Sequence, residues 1–206
     1  MYPFMINIHK KKIVVIGGGK IAAKRILALI PWQPFITVIS PKLDEQLVAL
    51  VNNDVIQHKE RTFQASDVDT AFIVIAATND KTVNRIVKDS CGSNQLYNIV
   101  DDPQGSTFHF PAMYTEHDIT VAVATNGLSP TLAIHLRDEF AAIIDDLQPA
   151  YLTFLQEVRQ HLKGASLTGQ QKRELLAECM EEQYQTDEYA RESFFEKVEK
   201  VIEEVR

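Results

Sequence analysis

Four stretches of this chain are apolar almost throughout and rich in β-branched residues: IVVIG (13–17), FITVIS (35–40), AFIVIAA (71–77) and LYNIV (96–100). A strand with one wet face alternates apolar and polar residues, and these do not alternate, so they belong to a sheet covered on both sides. Between them lie GGKIAAKRILALI, LDEQLVALV (43–51) and DKTVNRIVKDSC, whose apolar residues recur at helical spacing; in the third, Val83, Ile86 and Val87 fall on one side. VIQHKE adds a short strand. Strands alternating with helices predict an α/β fold with a mostly parallel sheet.

After Asp102 the pattern changes. FHFPAMY and ITVAVAT read as strands joined by the polar turn TEHD, an antiparallel pair predicted to extend the sheet. NGLSPTLAIHLRDEFAAIIDDL then opens a long helix, with Ser129 as its cap and Pro130 in its first turn. Beyond Gln148-Pro149 no strand pattern remains, and three helices are predicted at about 149–162, 168–183 and 187–205.

With 206 residues, 45% of them hydrophobic, the chain can bury one good core and a smaller second one. Its formal net charge of -7 argues against nucleic acid as a partner, since phosphate binding relies on clustered Lys and Arg. Cys91 and Cys179 lie far apart and outside any C-x-x-C spacing, so neither a disulfide framework nor a structural zinc is indicated, and a reducing cytoplasm fits best. The start, MYPFMINIHKKK, carries its charges after a short apolar stretch, the reverse of a secretory signal. No run approaches the roughly 18 apolar residues of a membrane span.

Gly17-Gly18-Gly19-Lys20-Ile21-Ala22 fits G-x-G-x-x-A directly after a predicted strand and at a helix start, the context in which the pattern signals a dinucleotide site. The first glycine permits a tight turn, and the third lets a pyrophosphate approach the positive end of the helix. The acidic residue that usually binds the adenosine ribose is missing. Its place, about 20 residues on, holds Ser40, Pro41 and Lys42; Ser40 offers a hydroxyl and Lys42 suits a 2′-phosphate, which leaves NAD against NADP open. At the end of the third long strand, small Ala76 and Ala77 leave room for a cofactor, with Thr78 and Asn79 able to face it.

NIVDDPQGSTFHFP places two adjacent carboxylates where the last parallel strand stops. By the rule that ligands bind beyond the carboxyl ends of such strands, Asp101 faces the crevice, while Asp102-Pro103 suits a turn. His109, His117 and His135 lie nearby, but no pair has metal-ligand spacing; structural or solvent-exposed roles are expected, with no metal site.

In order and spacing, IVVIGGGKIAAKR, VIAATNDKTVN, NIVDDPQGSTFHFPA and VAVATNGLSPTLAIHLR resemble the precorrin-2 dehydrogenase family, which also occurs as the N-terminal module of siroheme synthase. The similarity covers about residues 3–145 and continues loosely through the tail. It implies a Rossmann-type domain over 1–112, a dimerisation region over 113–147 and a helical domain over 148–206, assembled as a homodimer. The implied activity is NAD-dependent oxidation of precorrin-2 to sirohydrochlorin; some members also insert ferrous iron. Position by position, the catalytic aspartate falls on Asp101, and cofactor contacts fall on Lys20, Ile21, Pro41 and Lys42. The family similarly lacks the ribose-binding acid yet uses NAD. Where some siroheme synthases have a serine pair, this chain has Ala124-Thr125-Asn126, in which Thr125 retains a hydroxyl; Thr125, Asn126, Gly127 and Ser129 are candidates for substrate contact. The substrate's many carboxylates call for basic partners, for which Arg137, Arg159 and Lys163 are candidates. A non-catalytic module that senses NAD is the alternative; it needs no acidic residue at the crevice.

Overall fold

A computed structural model describes residues 1–204. The chain divides into two compact units, Met1–Phe110 and a second beginning at Pro111.

The first unit holds five parallel strands, β1 (Lys12–Ile16), β2 (Phe35–Ile39), β3 (Gln57–Lys59), β4 (Ile73–Ala76) and β5 (Leu96–Ile99), in the order β3-β2-β1-β4-β5. Successive strands step outward from β1 to β3, and the chain then crosses back to β4. The order therefore reverses between β1 and β4, and ligands of such sheets bind beyond the carboxyl ends at that point. Both faces are buried, which is why the strands do not alternate. Ile13, Val15, Val38 and Ile75 pack against Ala22, Ala23 and Ile26 of α1 (Lys20–Leu29) and Leu47 of α2 (Glu45–Asn52). Val14, Ile16, Val74 and Ile99 pack on the other face, against Val87 of α3 (Lys81–Ser90).

Two sequence expectations change here. On α3 the buried positions are Asn84 and Val87, whereas Ile86 is 49% exposed. The antiparallel pair forms, but as a separate two-stranded sheet, because the free edge of β5 is already covered. The returning chain lays Ser106 and Thr107 along it: Ile99 N donates to Ser106 Oγ (2.9 Å) and Tyr97 N to Thr107 Oγ1 (2.7 Å). Hydroxyls thus take the place of a neighbouring strand and protect the edge.

In the second unit, β6 (Ala112–Glu116) and β7 (Ile119–Val123) meet through a two-residue turn, His117 and Asp118, both with positive φ as a twisted hairpin demands. Helix α4 (Pro130–Asp145) starts as expected, with Ser129 Oγ accepting from Leu132 N at 3.2 Å and Pro130 in the first turn. Tyr114 of the hairpin donates to the Asp145 carboxylate at the other end of α4. The tail folds as α5 (Pro149–Gly164), α6 (Gly169–Glu178), α7 (Glu182–Thr186) and α8 (Glu188–Glu204) around Tyr151, Phe154, Leu162 and Phe194. One helix was expected over 168–183. The chain instead breaks after α6, where the buried Tyr151 hydroxyl donates to the freed Cys179 carbonyl at 3.0 Å. Among the described residues no helix is long and apolar enough to cross a membrane.

Candidate functional site

The triple glycine joins β1 to α1, and its three members have different reasons to lack a side chain. Gly17 has φ +108, and a Cβ there would stand 2.4 Å from Ala77 O. At Gly18 it would stand 2.2 Å from Lys42 O. Both glycines let the turn lie against the ends of β4 and β2. Gly19 has no such constraint: nothing lies within 4 Å of its Cβ position, and its φ of -87 and ψ of -173 suit any residue.

What lies open at Gly19 is the start of α1, which has no side-chain cap and no acidic residue in its first turn. By contrast, α2 and α3 are capped by Asp44 and Asp80. Unclaimed amides at the positive end of a helix favour an anion. They face a cleft of about 620 Å³ whose walls include residues 17–20, 40–44, 61–63 and 77–79. Its volume, open helix terminus and apolar flank of Ile16, Ile39 and Val83 fit a dinucleotide. Of the residues expected to hold the cofactor, Gly17, Gly18, Gly19, Lys20, Ser40, Pro41, Lys42, Ala77 and Thr78 line this cleft. Ile21 lies outside its walls, 49% exposed on α1.

Two walls carry detail that the sequence did not suggest. The buried Ser40 hydroxyl donates to Lys42 O at 2.7 Å, so it shapes the turn after β2. Beside it, from the loop after β3, Arg61 reaches Asp67 twice, Nη1 to Oδ2 at 2.8 Å and Nη2 to Oδ1 at 2.5 Å. The Arg61 guanidinium, helped by the Gln64 backbone N–H, holds the Asp67 carboxyl down at about 2 despite a side chain only 3% exposed. A Gln64-to-Asp67 capping box fixes that acid, but its link to the cleft is tertiary.

The second feature surrounds Asp101, just beyond β5. Asn84 Nδ2 donates to Asp101 Oδ1 at 2.6 Å, and Asn84 Oδ1 accepts from Thr78 N at 3.2 Å. Thr78 lines the 620 Å³ cleft; Asp101, exposed, lines a second cleft of about 340 Å³ together with Lys81, Arg85, Lys88 and Asp102. The two aspartates are engaged differently. Asp102 accepts from Lys88 Nζ at 2.7 Å and from Gly105 N at 2.9 Å, and both lower its pKa, Lys88 more strongly. Asp102 thus builds the turn. Asn84 went unnoticed in the sequence, although a polar residue next to Val83 and Val87 on an otherwise apolar stripe was a readable signal.

The remaining candidates lie in the second unit. Thr125 Oγ1 donates to Ser129 O at 3.0 Å, and the Ser129 side chain caps α4. Asn126 and Gly127 make the turn between them, both with positive φ. Arg137 Nε donates to Asp138 Oδ1 at 2.8 Å, and Arg159 and Lys163 lie on α5. His109 Nε2 is 2.7 Å from Pro103 O, His117 sits in the hairpin turn, and His135 Nε2 is 3.4 Å from Glu139. Among the described residues no group of three His, Cys, Asp or Glu is placed to hold a metal ion.

A family described as "Putative NAD(P)-binding" matches residues 4–112, and the SirC C-terminal domain family matches residues 149–194. A precorrin-2 dehydrogenase of Priestia megaterium is 26% identical over 200 residues, 97% of this chain and 99% of that protein. The precorrin-2 dehydrogenase of Bacillus subtilis is 31% identical over 160 residues, 78% of this chain and 99% of that one. A siroheme synthase of Thioalkalivibrio sulfidiphilus is 37% identical over 144 residues; the match covers 69% of this chain but only 29% of that longer protein. A solved structure of SirC, precorrin-2 dehydrogenase, superposes with a TM-score of 0.80 at 26% identity, covering 97% of this chain and 100% of the other.

Proposed function

This chain belongs to the precorrin-2 dehydrogenase family, and from that premise we propose that it oxidises precorrin-2 to sirohydrochlorin with NAD. The carrying observation is an exposed carboxylate, Asp101, tied through one buried amide to Thr78 in the wall of a dinucleotide-sized cleft. A sensing module needs the cleft but not that carboxylate.

Gly19 and the first turn of α1 would hold the pyrophosphate of NAD, Lys20 would add positive charge there, and Pro41 and Lys42 would contribute to its binding from the cleft wall. Ala77 is small enough for close approach, and Thr78 gives that wall its fixed geometry. Bound NAD would supply the hydride acceptor that the oxidation requires. A proton must leave as well, and Asp101 takes it. An ionised carboxylate is acceptor-only, so the form that takes a proton also accepts hydrogen bonds from pyrrole N–H groups, and one residue serves both tasks. Thr125, Asn126, Gly127, Ser129 and Arg137 are proposed as substrate contacts, with the Arg137 guanidinium suited to pair with a carboxylate.

The division proposed is 1–112 for the nucleotide domain, 113–147 for the dimerisation region and 148–206 for the helical domain. A homodimer is supported by α4, which leaves Leu132, Ile134, Phe140 and Ile143 at 40–61% exposure. Two free cysteines accord with a reducing cytoplasm.

Anaerobic incubation with precorrin-2 and NAD, followed by the tetrapyrrole absorption spectrum, tests the activity. Conversion to the sirohydrochlorin spectrum with stoichiometric NADH is expected; adding ferrous iron then reads out insertion in the same cuvette. NAD binding with unchanged precorrin-2 would assign the chain to sensing instead.

A further inference from the structure

Asn84 sits on α3 at 1% exposure, and a buried primary amide is costly unless its donors and acceptor are met. All are. Oδ1 lies 3.2 Å from Thr78 N and 2.7 Å from Thr78 Oγ1; Nδ2 donates to Thr78 O at 3.2 Å and to Asp101 Oδ1 at 2.6 Å. The orientation of the amide is fixed by chemistry: a backbone N–H can only donate, so the oxygen must face Thr78 N and the NH₂ must face the carboxylate. Packing of α3 against the sheet, through Val87, fixes where the amide stands.

We infer that Asn84 is a positioning residue which holds the Asp101 carboxylate in register with the Thr78 wall of the cofactor cleft. Asp101 follows β5 in a turn and is exposed; without a partner, its side chain is free to rotate among staggered conformers. Asn84 selects one of them. Because the same amide grips both the backbone and the hydroxyl of Thr78, the proton acceptor and the cofactor wall share one fixed reference. A misplacement of about 1 Å at a reacting group can cost on the order of 10²-fold in rate. This inference rests on the assignment of Asp101 to the chemistry.

The test is a mutant cycle on the full chain. Asn84→Asp keeps the shape and the acceptor for Thr78 N and Oγ1 but replaces the donor that faces Asp101 with oxygen, at the cost of the longer bond to Thr78 O. In the wild-type background it should lower kcat by roughly 10-fold to 10²-fold, while NAD affinity, measured by calorimetry, stays within about two-fold. In the Asp101→Ala background the same substitution should change kcat by less than about two-fold, because the group it positions is gone. Asn84→Ala, which also frees Thr78 and so costs some activity in both backgrounds, keeps the test readable should the Asp variant fold poorly, since its loss should be several-fold larger in the wild-type background than in Asp101→Ala. Equal losses in both backgrounds, or wild-type kcat in both Asn84 variants, would overturn the inference. Wild-type turnover in Asp101→Ala alone would overturn the underlying assignment with it, and that result is read from a different protein.

Discussion

Arg61 lines the cleft beside the triple glycine with its guanidinium already committed to Asp67 through two hydrogen bonds, 2.8 Å and 2.5 Å long. A guanidinium so engaged has less to offer a ribose 2′-phosphate. Asp67→Asn should therefore release Arg61 and raise affinity for NADP relative to NAD by several-fold. Parallel calorimetric titrations of the two nucleotides check it; an unchanged ratio would detach Asp67 from cofactor choice.

The same pair sets an acid limit. The Asp67 carboxyl is depressed from 3.8 to about 2, so its contribution to stability is complete above about pH 4 and lost as pH falls toward 2. Thermal midpoints of the wild type and Asp67→Asn should converge over that window and differ by a constant amount between pH 5 and 8. A difference that persists undiminished at pH 2 would show that the pair titrates elsewhere.

The three glycines separate fold from binding. Gly17→Ala forces a side chain onto a positive φ and into Ala77 O, and Gly18→Ala meets Lys42 O. Each should lower the thermal midpoint by at least about 3 °C, the shift that roughly 1 kcal/mol produces in a chain of this size. Gly19→Val points into open space, so the fold should persist while NAD binding is lost to steric exclusion of the pyrophosphate. Undiminished NAD affinity in Gly19→Val would remove the cofactor from this turn.

Ile143 on α4 is 61% exposed beside Phe140 at 47%. If this face joins two copies, Ile143→Glu should convert a dimer into a monomer in sedimentation velocity, with the helical content unchanged. A monomeric wild type at every concentration would refute the dimer.

The parallel sheet was legible because burial on both faces removes polar residues from β1, β2 and β4, and Gly17 was legible because its turn has few alternatives; the reason for Gly18, its approach to Lys42 O, is tertiary. What escaped is tertiary. The end of α6 is set by Tyr151, 28 residues away, donating to Cys179 O. The separation of β6 and β7 from the main sheet follows from Ser106 and Thr107 occupying the edge of β5, hydroxyls that read locally as loop residues. The Ser40 hydroxyl, which the sequence offers to a ribose, donates instead to Lys42 O in the turn after β2. Helical periodicity alone does not single out Asn84, because it ranks apolar residues; the role of that polar side chain is set by Thr78 and Asp101, 6 and 17 residues away.

Asp101 and Asp102 are neighbours with different partners, a buried amide for the first and Lys88 with the Gly105 N–H for the second. The most direct measurement is the rate of precorrin-2 oxidation at saturating NAD in Asp101→Ala and Asp102→Ala, with NAD affinity and thermal midpoint measured on the same preparations. The account predicts a loss of at least ~10²-fold in Asp101→Ala, the low end of general acid–base contributions, with NAD affinity near wild type. It predicts near-normal turnover and a modest stability loss in Asp102→Ala. Wild-type oxidation rates in Asp101→Ala would contradict it.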